Sequence, residues 1–203
     1  TSTHVIYDKD LVYPTHFCRR CYEETMNQEI QQLLEVVKDA EPFPGDLHTY
    51  QPFYDIDMSG WELVRNDCPS RIHIILEAVS RCETLQTKLA HSVNQPSFID
   101  VGCCSGFFSD CMSSHGFSAA GVDVSADFIQ WASRVARSKG QDIRYTQENA
   151  LTYLEKLEEK FDVISTFATI QWVMAQQGYE AGLKCFDQIF NKTNEICVVE
   201  MGY

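Results

Sequence analysis

The sequence predicts an α/β fold, a doubly wound and mostly parallel sheet preceded by an N-terminal helical extension. Two observations carry this expectation. From Phe98 onward, short apolar runs alternate with amphipathic stretches of about ten residues, the spacing of strands joined by right-handed helical crossovers. The first of these runs, Phe98-Ile99-Asp100-Val101, then breaks into Gly102-Cys103-Cys104-Ser105-Gly106, a glycine-bracketed turn before an apolar helical pattern.

In chain order, Thr1 to Cys18 has no clear periodicity. Residues 22–40 place Met26, Ile30, Leu33, Leu34 and Val37 on one face and predict an amphipathic helix. Glu41-Pro42-Phe43-Pro44-Gly45 ends it, because two prolines and a glycine cannot continue a helix. The expected division is therefore an extension over 1–45 and a main domain over 46–203. Residues 48–61 are aromatic-rich without a settled period. They read either as a loop pinned to the core by its rings or as a lid over a ligand, with Tyr50 and Phe53 as lid candidates.

A helix is expected from Pro69 to about Leu89, with Ile72, Ile75, Leu76, Val79 and Cys82 on one face. Strands follow at 98–101, 119–124, 142–146, 161–167 and 195–201. The intervening helices are expected at 105–115, 126–138, 151–159 and 178–190. Ser125 stands as the cap of the second of them.

Composition narrows the function. The chain has 203 residues, 44% of them hydrophobic, enough for one domain with a full core. No apolar run is long enough to span a bilayer. A formal net charge of -13 disfavours electrostatic binding of nucleic acid. Nine cysteines, an odd number scattered through the predicted elements, suit a reducing compartment, so a cytoplasmic location is expected. Cys18-x-x-Cys21 after His16 lacks a second ligand pair, and no metal is expected. The chain starts at Thr1 without methionine and stops at Tyr203 directly after a core strand, so a fragment of a longer protein is one open reading.

In a doubly wound sheet the ligand lies at the carboxyl ends of the strands, beside the first strand-to-helix turn. Gly102 supplies the tight turn there, and Gly106 lets the helix approach closely. Asp123 ends the second strand about 20 residues further on, where a carboxylate accepts hydrogen bonds from ribose hydroxyls. Its alternative role is to cap the next helix, which Ser125 already does.

The pair FIDVGCCSG and GVDVS, residues 98–106 and 121–125, resembles the motifs of the class I S-adenosylmethionine-dependent methyltransferases, over about residues 69–203. The resemblance implies a Rossmann-like fold, S-adenosyl-L-methionine as cofactor, and a set of site residues. Asp100 matches the acid near the methionine amino group. Gly102, Cys103, Cys104 and Gly106 match the turn beneath the cofactor, with cysteine at 104 where the family usually has glycine. Asp123, followed by Val124, matches the ribose-binding acid. Glu148, Asn149 and Ala150 match the adenine-reading segment, with Asn149 accepting from the adenine amino group through its carbonyl.

The segment from Thr166 to Trp172 faces the transferred methyl in the family. Gln171 and Trp172 are its site-facing candidates, Trp172 having ordinary core packing as its alternative. His48, Asp55 and Asp57 are candidate bases, but no catalytic residue is singled out. Tyr50-Gln51-Pro52 with Arg65 and Arg71 faintly resembles methyltransferases of glycan or natural-product pathways.

The expected function is methyl transfer to a small-molecule or sugar-containing (glycan) acceptor. The alternative is a non-catalytic cofactor-binding or scaffolding domain of a larger protein. Family members usually complete the sheet with an antiparallel hairpin after strand five. Here the sheet is expected to be truncated there, its edge covered by a partner chain, by a C-terminal segment or by the N-terminal helix.

Overall fold

The computed structural model describes residues 19–40, 48–91 and 94–202. Helix α1 (Arg19–Lys38) precedes two short parallel strands, β1 (His48–Thr49) and β2 (Glu62–Leu63). Helices α2 (Cys68–Arg81) and α3 (Glu83–Ala90) lead into the main sheet. Its elements are β3 (Ser97–Val101), α4 (Phe107–Ser114), β4 (Ser118–Asp123), α5 (Ala126–Ser138), β5 (Arg144–Gln147), α6 (Ala150–Lys156), β6 (Phe161–Phe167), α7 (Ile170–Gln177), α8 (Tyr179–Lys192) and β7 (Thr193–Glu200). The strands lie in the order β5-β4-β3-β6-β7, and every pairing is parallel. The five predicted strands are therefore all present, and the order reverses at β3, beside which the glycine turn stands.

Burial on both faces explains the apolar strand sequences. One face packs Phe98 and Val163 against α2, α3 and α4 through Ile75, Leu85, Phe108 and Met112. The other packs Ile99, Val122 and Ile164 against α6, α7 and α8 through Leu154, Ile170 and Ile189. The predicted face of α1 is buried at Ile30, Leu33, Leu34 and Val37, against Trp131 and Val135 of α5. Each of these large aliphatic side chains contributes about 1.5–3 kcal/mol when removed from water.

Two expectations about helices are corrected. The single helix expected from Pro69 to Leu89 is two helices, because Cys82 is extended (φ -92°, ψ 105°). The break rotates Leu85 into the core, where it is fully buried; an unbroken helix would carry it off the Ile72-Ile75-Val79 face. Helix α7 was not expected at all. It starts directly after β6 without a side-chain cap and is closed by Gly178 (φ 96°), so its only strong punctuation is at its end.

Strand β7 pairs with β6 alone among the described residues. Its residues are partly exposed, and the adjoining α8 leaves Tyr179, Leu183 and Phe190 in solvent at 65%, 39% and 52% exposure. No helix among the described residues is long and apolar enough to cross a membrane.

Candidate functional site

The Gly102–Gly106 turn is held from below by backbone bonds. The N–H groups of Gly102 and Cys103 donate to the carbonyl of Val122 at 2.8 and 3.0 Å, which docks the turn on the end of β4. Gly102 (φ 84°) and Gly106 (φ 88°) take left-handed conformations, and so does Cys104 (φ 49°). Cysteine thus reproduces at 104 the backbone shape that glycine adopts freely, at a strain cost of about 1–2 kcal/mol. Burial pushes its thiol pKa well up, so that the side chain stays neutral.

Asp123 binds the turn to the end of β4. One carboxylate oxygen accepts from the Cys104 N–H at 2.9 Å and the other from the Ser125 N–H at 2.9 Å. Ser125 itself caps α5, its hydroxyl accepting from the Phe128 N–H. Each carboxylate oxygen retains a lone pair for a ligand hydroxyl.

A cleft of about 300 Å³ opens over these groups. Among the predicted cofactor residues, Gly102, Cys104, Asp123, Val124, Glu148, Asn149 and Ala150 line it. Asp100, Cys103 and Gly106 do not; they lie behind or at the end of the turn. Asn149 caps α6 through its side-chain carbonyl, which accepts from Leu151 and Thr152 N–H at 3.1 and 3.3 Å. That cap engages the side-chain oxygen, and the residue lines the cleft at the start of α6. Glu148 pairs with Lys156.

Of the lid and substrate candidates, Tyr50 and Trp172 line the cleft. Trp172 is 61% exposed, which removes its alternative as a core residue. Phe53 is 2% exposed and packs in the α1–α5 cluster, so it takes the packing role open to it from sequence. Gln171 is not among the lining residues; its side chain lies beside Gly202, its oxygen buried and without a hydrogen-bond partner among the described residues. Asp55 and Asp57 border a separate cavity of about 610 Å³ beside α1 and Lys139. Residues 1–18 and 41–47, including Cys18 and the expected linker, lie outside the described residues, as do the side chains of Cys21 and His48. Among the described residues no cluster of metal-ligating side chains occurs.

Several lining residues were not singled out from sequence. Phe128 comes from α5, Phe167, Ala168 and Thr169 from the end of β6, and Val173 and Gln176 from α7. Phe167 is backed by Arg71, whose guanidinium lies 5.4 Å from the ring centroid. Arg71 is itself fully engaged: Nε donates to Glu200 Oε2 at 2.9 Å, and Nη2 pairs with Glu200 Oε1 and with Asp67. The elbow at Ala168 (φ 53°) donates its N–H to the Glu200 carbonyl at 2.9 Å. Arg65 makes no ion pair among the described residues; its Nε donates to the Tyr50 hydroxyl at 3.3 Å.

Asp100 is 2% exposed and accepts from the Ser165 hydroxyl at 2.7 Å. Desolvation lifts its carboxyl pKa to about 7, against the lowering effect of that bond. A cationic ligand over the turn favours the ionised form. Affinity for such a ligand is therefore expected to fall as pH drops through about 7, with proton release on binding near that pH. Stability of the ligand-free chain runs the other way. The buried group is protonated in the folded chain but ionised in the unfolded one between the ordinary carboxylate range and about 7, so folding loses stability as pH rises across that window. Calorimetry in two buffers of different ionisation enthalpy, with thermal melts over the same pH range, checks both signs.

Comparison with known proteins follows the same outline. A family model described as "Methyltransferase domain" matches residues 98–191, from β3 into α8. A ubiquinone biosynthesis O-methyltransferase of Rickettsia conorii is 26% identical over 117 residues, 57% of this chain and 38% of that protein. The same enzyme of Histophilus somni is 30% identical over 88 residues, 41% of this chain and 37% of that protein. The chain thus spans about a third of the length of the curated relatives it matches. Among solved structures, the bifunctional kinase-methyltransferase WbdD superposes with a TM-score of 0.65 at 17% identity, over 87% of this chain and 35% of that one. That likeness supports the fold.

Proposed function

We propose that the chain is a class I S-adenosylmethionine-dependent methyltransferase, that its cleft holds S-adenosyl-L-methionine, and that the domain directs methyl transfer to an oxygen of a small-molecule acceptor. A single observation carries the reading. The backbone turn at Gly102–Cys104 and the Asp123 carboxylate form one hydrogen-bonded unit that lines the cleft. Bare backbone and an acid with spare lone pairs suit a nucleoside's sugar edge.

The remaining residues fit the rest of such a ligand. Val124 and Ala150 give apolar walls for a flat base, and Asn149 stands beside them. The ligand's amino-acid end carries a carboxylate, and Arg65 offers a guanidinium beside the cleft-lining Tyr50, to whose hydroxyl it donates. When bound, S-adenosylmethionine supplies an electrophilic methyl group. The chain's task is then to hold the acceptor in line, which on its own accounts for much of the acceleration of such transfers. Tyr50, Phe167 and Trp172 provide ring surface for that acceptor.

The acceptor class is narrowed by the curated relatives, which are O-methyltransferases, and by the acidic balance of the chain, which disfavours nucleic acid. A sugar-containing acceptor is the finer alternative. The test is formation of S-adenosylhomocysteine on a panel of phenols, catechols and sugars. Turnover on any member above the acceptor-free rate supports the enzyme.

A second reading, a cofactor-binding or scaffolding domain without turnover, draws on the edge of β7, unpaired among the described residues, and the exposed rings of α8. Such surface is the usual mark of a face covered in an assembly. Cofactor binding with no turnover on the whole panel favours it.

A further inference from the structure

A buried amide joins the mouth of the cleft to the turn beneath it. Gln51 is 4% exposed, and its Nε2 donates to the carbonyl of Cys103 at 3.0 Å. It is followed by Pro52 and preceded by Tyr50, which lines the cleft. The segment is zipped to the chain before α2. Val64 N–H donates to Thr49 carbonyl at 3.1 Å and Arg65 N–H to Tyr50 carbonyl at 2.7 Å, extending the β1–β2 pairing. Arg65 then returns its guanidinium to the Tyr50 hydroxyl. On the other side of the amide, the Cys68 thiol lies 4.0 Å from Gln51 Oε1 and donates toward the Arg65 carbonyl at 3.6 Å.

We propose that Gln51 is a positioning residue that fixes Tyr50 over the cleft, and Arg65 beside it, by tethering their segment to the Cys103 carbonyl. This inference rests on the cofactor-binding reading above. The turn is a fixed reference because Gly102 and Cys103 are bonded to β4, and Cys104 to Asp123. A side chain that reaches across 52 residues of sequence to grip that turn transmits its position to the residues on either side. A buried amide of this kind forms its bond only at one distance and angle, so it sets a register as apolar packing does not.

The alternative is that Gln51 merely fills space and satisfies a carbonyl. The two roles part under protonation. In Gln51→Glu, a neutral carboxyl donates to the Cys103 carbonyl as the amide does, and an ionised one repels it. Burial raises the carboxyl's pKa. Groups around the site act in both directions: Asp67 and Asp100 raise a nearby acid, and Arg65 and Arg71 lower it, as they do for Cys68. The Cys68 and Cys103 thiols, both shifted upward, stay neutral.

The experiment is titration of the folded chain with S-adenosylmethionine between pH 5.5 and 8, for the unmodified protein, Gln51→Met and Gln51→Glu. Gln51→Met keeps the length without the bond and is expected to bind about tenfold more weakly at every pH, as loss of one buried hydrogen bond implies. Gln51→Glu is expected to bind within about threefold of the unmodified chain at pH 5.5 and at least about tenfold more weakly at pH 8. The unmodified chain should show the opposite slope, because Asp100 ionises over that range. Variants that melt as the unmodified chain does yet bind S-adenosylmethionine equally well at all pH values would overturn the positioning role. Failure of the unmodified chain to bind would instead strike the cofactor reading.

Discussion

Replacing Asp123 with alanine is expected to weaken S-adenosylmethionine binding by roughly tenfold to more than a hundredfold, the worth of about 1.5–3 kcal/mol for hydrogen bonds to a charged group. The effect has two sources. The carboxylate's spare lone pairs are lost to the ligand, and the N–H groups of Cys104 and Ser125 lose their acceptor. Since Cys104 sits at φ 49°, its conformation depends on such bonds, and the turn under the ligand is expected to loosen with the contact above it. Asp123→Asn separates the contributions. It retains an acceptor for one N–H, so its melting temperature should lie between those of Asp123→Ala and the unmodified chain. Calorimetric titration and thermal melts on the three proteins check the order.

Gly102→Ala is expected to be the more damaging change to the fold around the cleft. An added Cβ would stand 2.0 Å from Thr169 Oγ1, 2.8 Å from its Cγ2 and 2.9 Å from its Cβ. Thr169 cannot step aside cheaply, because it follows the Ala168 elbow and precedes the first turn of α7. The φ of 84° adds left-handed strain. Together, overpacking and strain imply a loss of about 2–5 kcal/mol of stability. Because Gly102 and Thr169 both line the cleft, ligand affinity should fall with it. A chemical denaturation series and a titration at a temperature where the variant is folded measure the two losses separately.

What could be read from sequence was local. The strand-turn-helix at 98–106 announces itself within nine residues, and the distance to Asp123 is fixed by one helix and one strand; both were legible, and the structure brings them to one cleft. Helix α7 was hidden because it starts close after β6 with no glycine or proline to mark it, and its N-cap Thr169 makes no side-chain cap bond. The break at Cys82 was hidden because no glycine or proline marks it. Phe53 and Tyr50, three residues apart in a stretch without period, part company only in three dimensions, one into the α1–α5 core and the other to the cleft. Gln51, Arg71 and Glu200 were illegible as a group, since their bonds cross 52 and 129 residues. Asn149 shows the subtler limit. Its position was legible, but not that its side-chain oxygen caps α6.

The central claim is that Gly102–Cys104 and Asp123 form a cofactor cleft. Calorimetric titration of the unmodified, folded chain with S-adenosylmethionine tests it most directly. The expected result is saturable binding at a single site with a Kd on the order of micromolar, about -8 kcal/mol. A folded chain that shows no heat of binding and no thermal stabilisation at millimolar S-adenosylmethionine would contradict it.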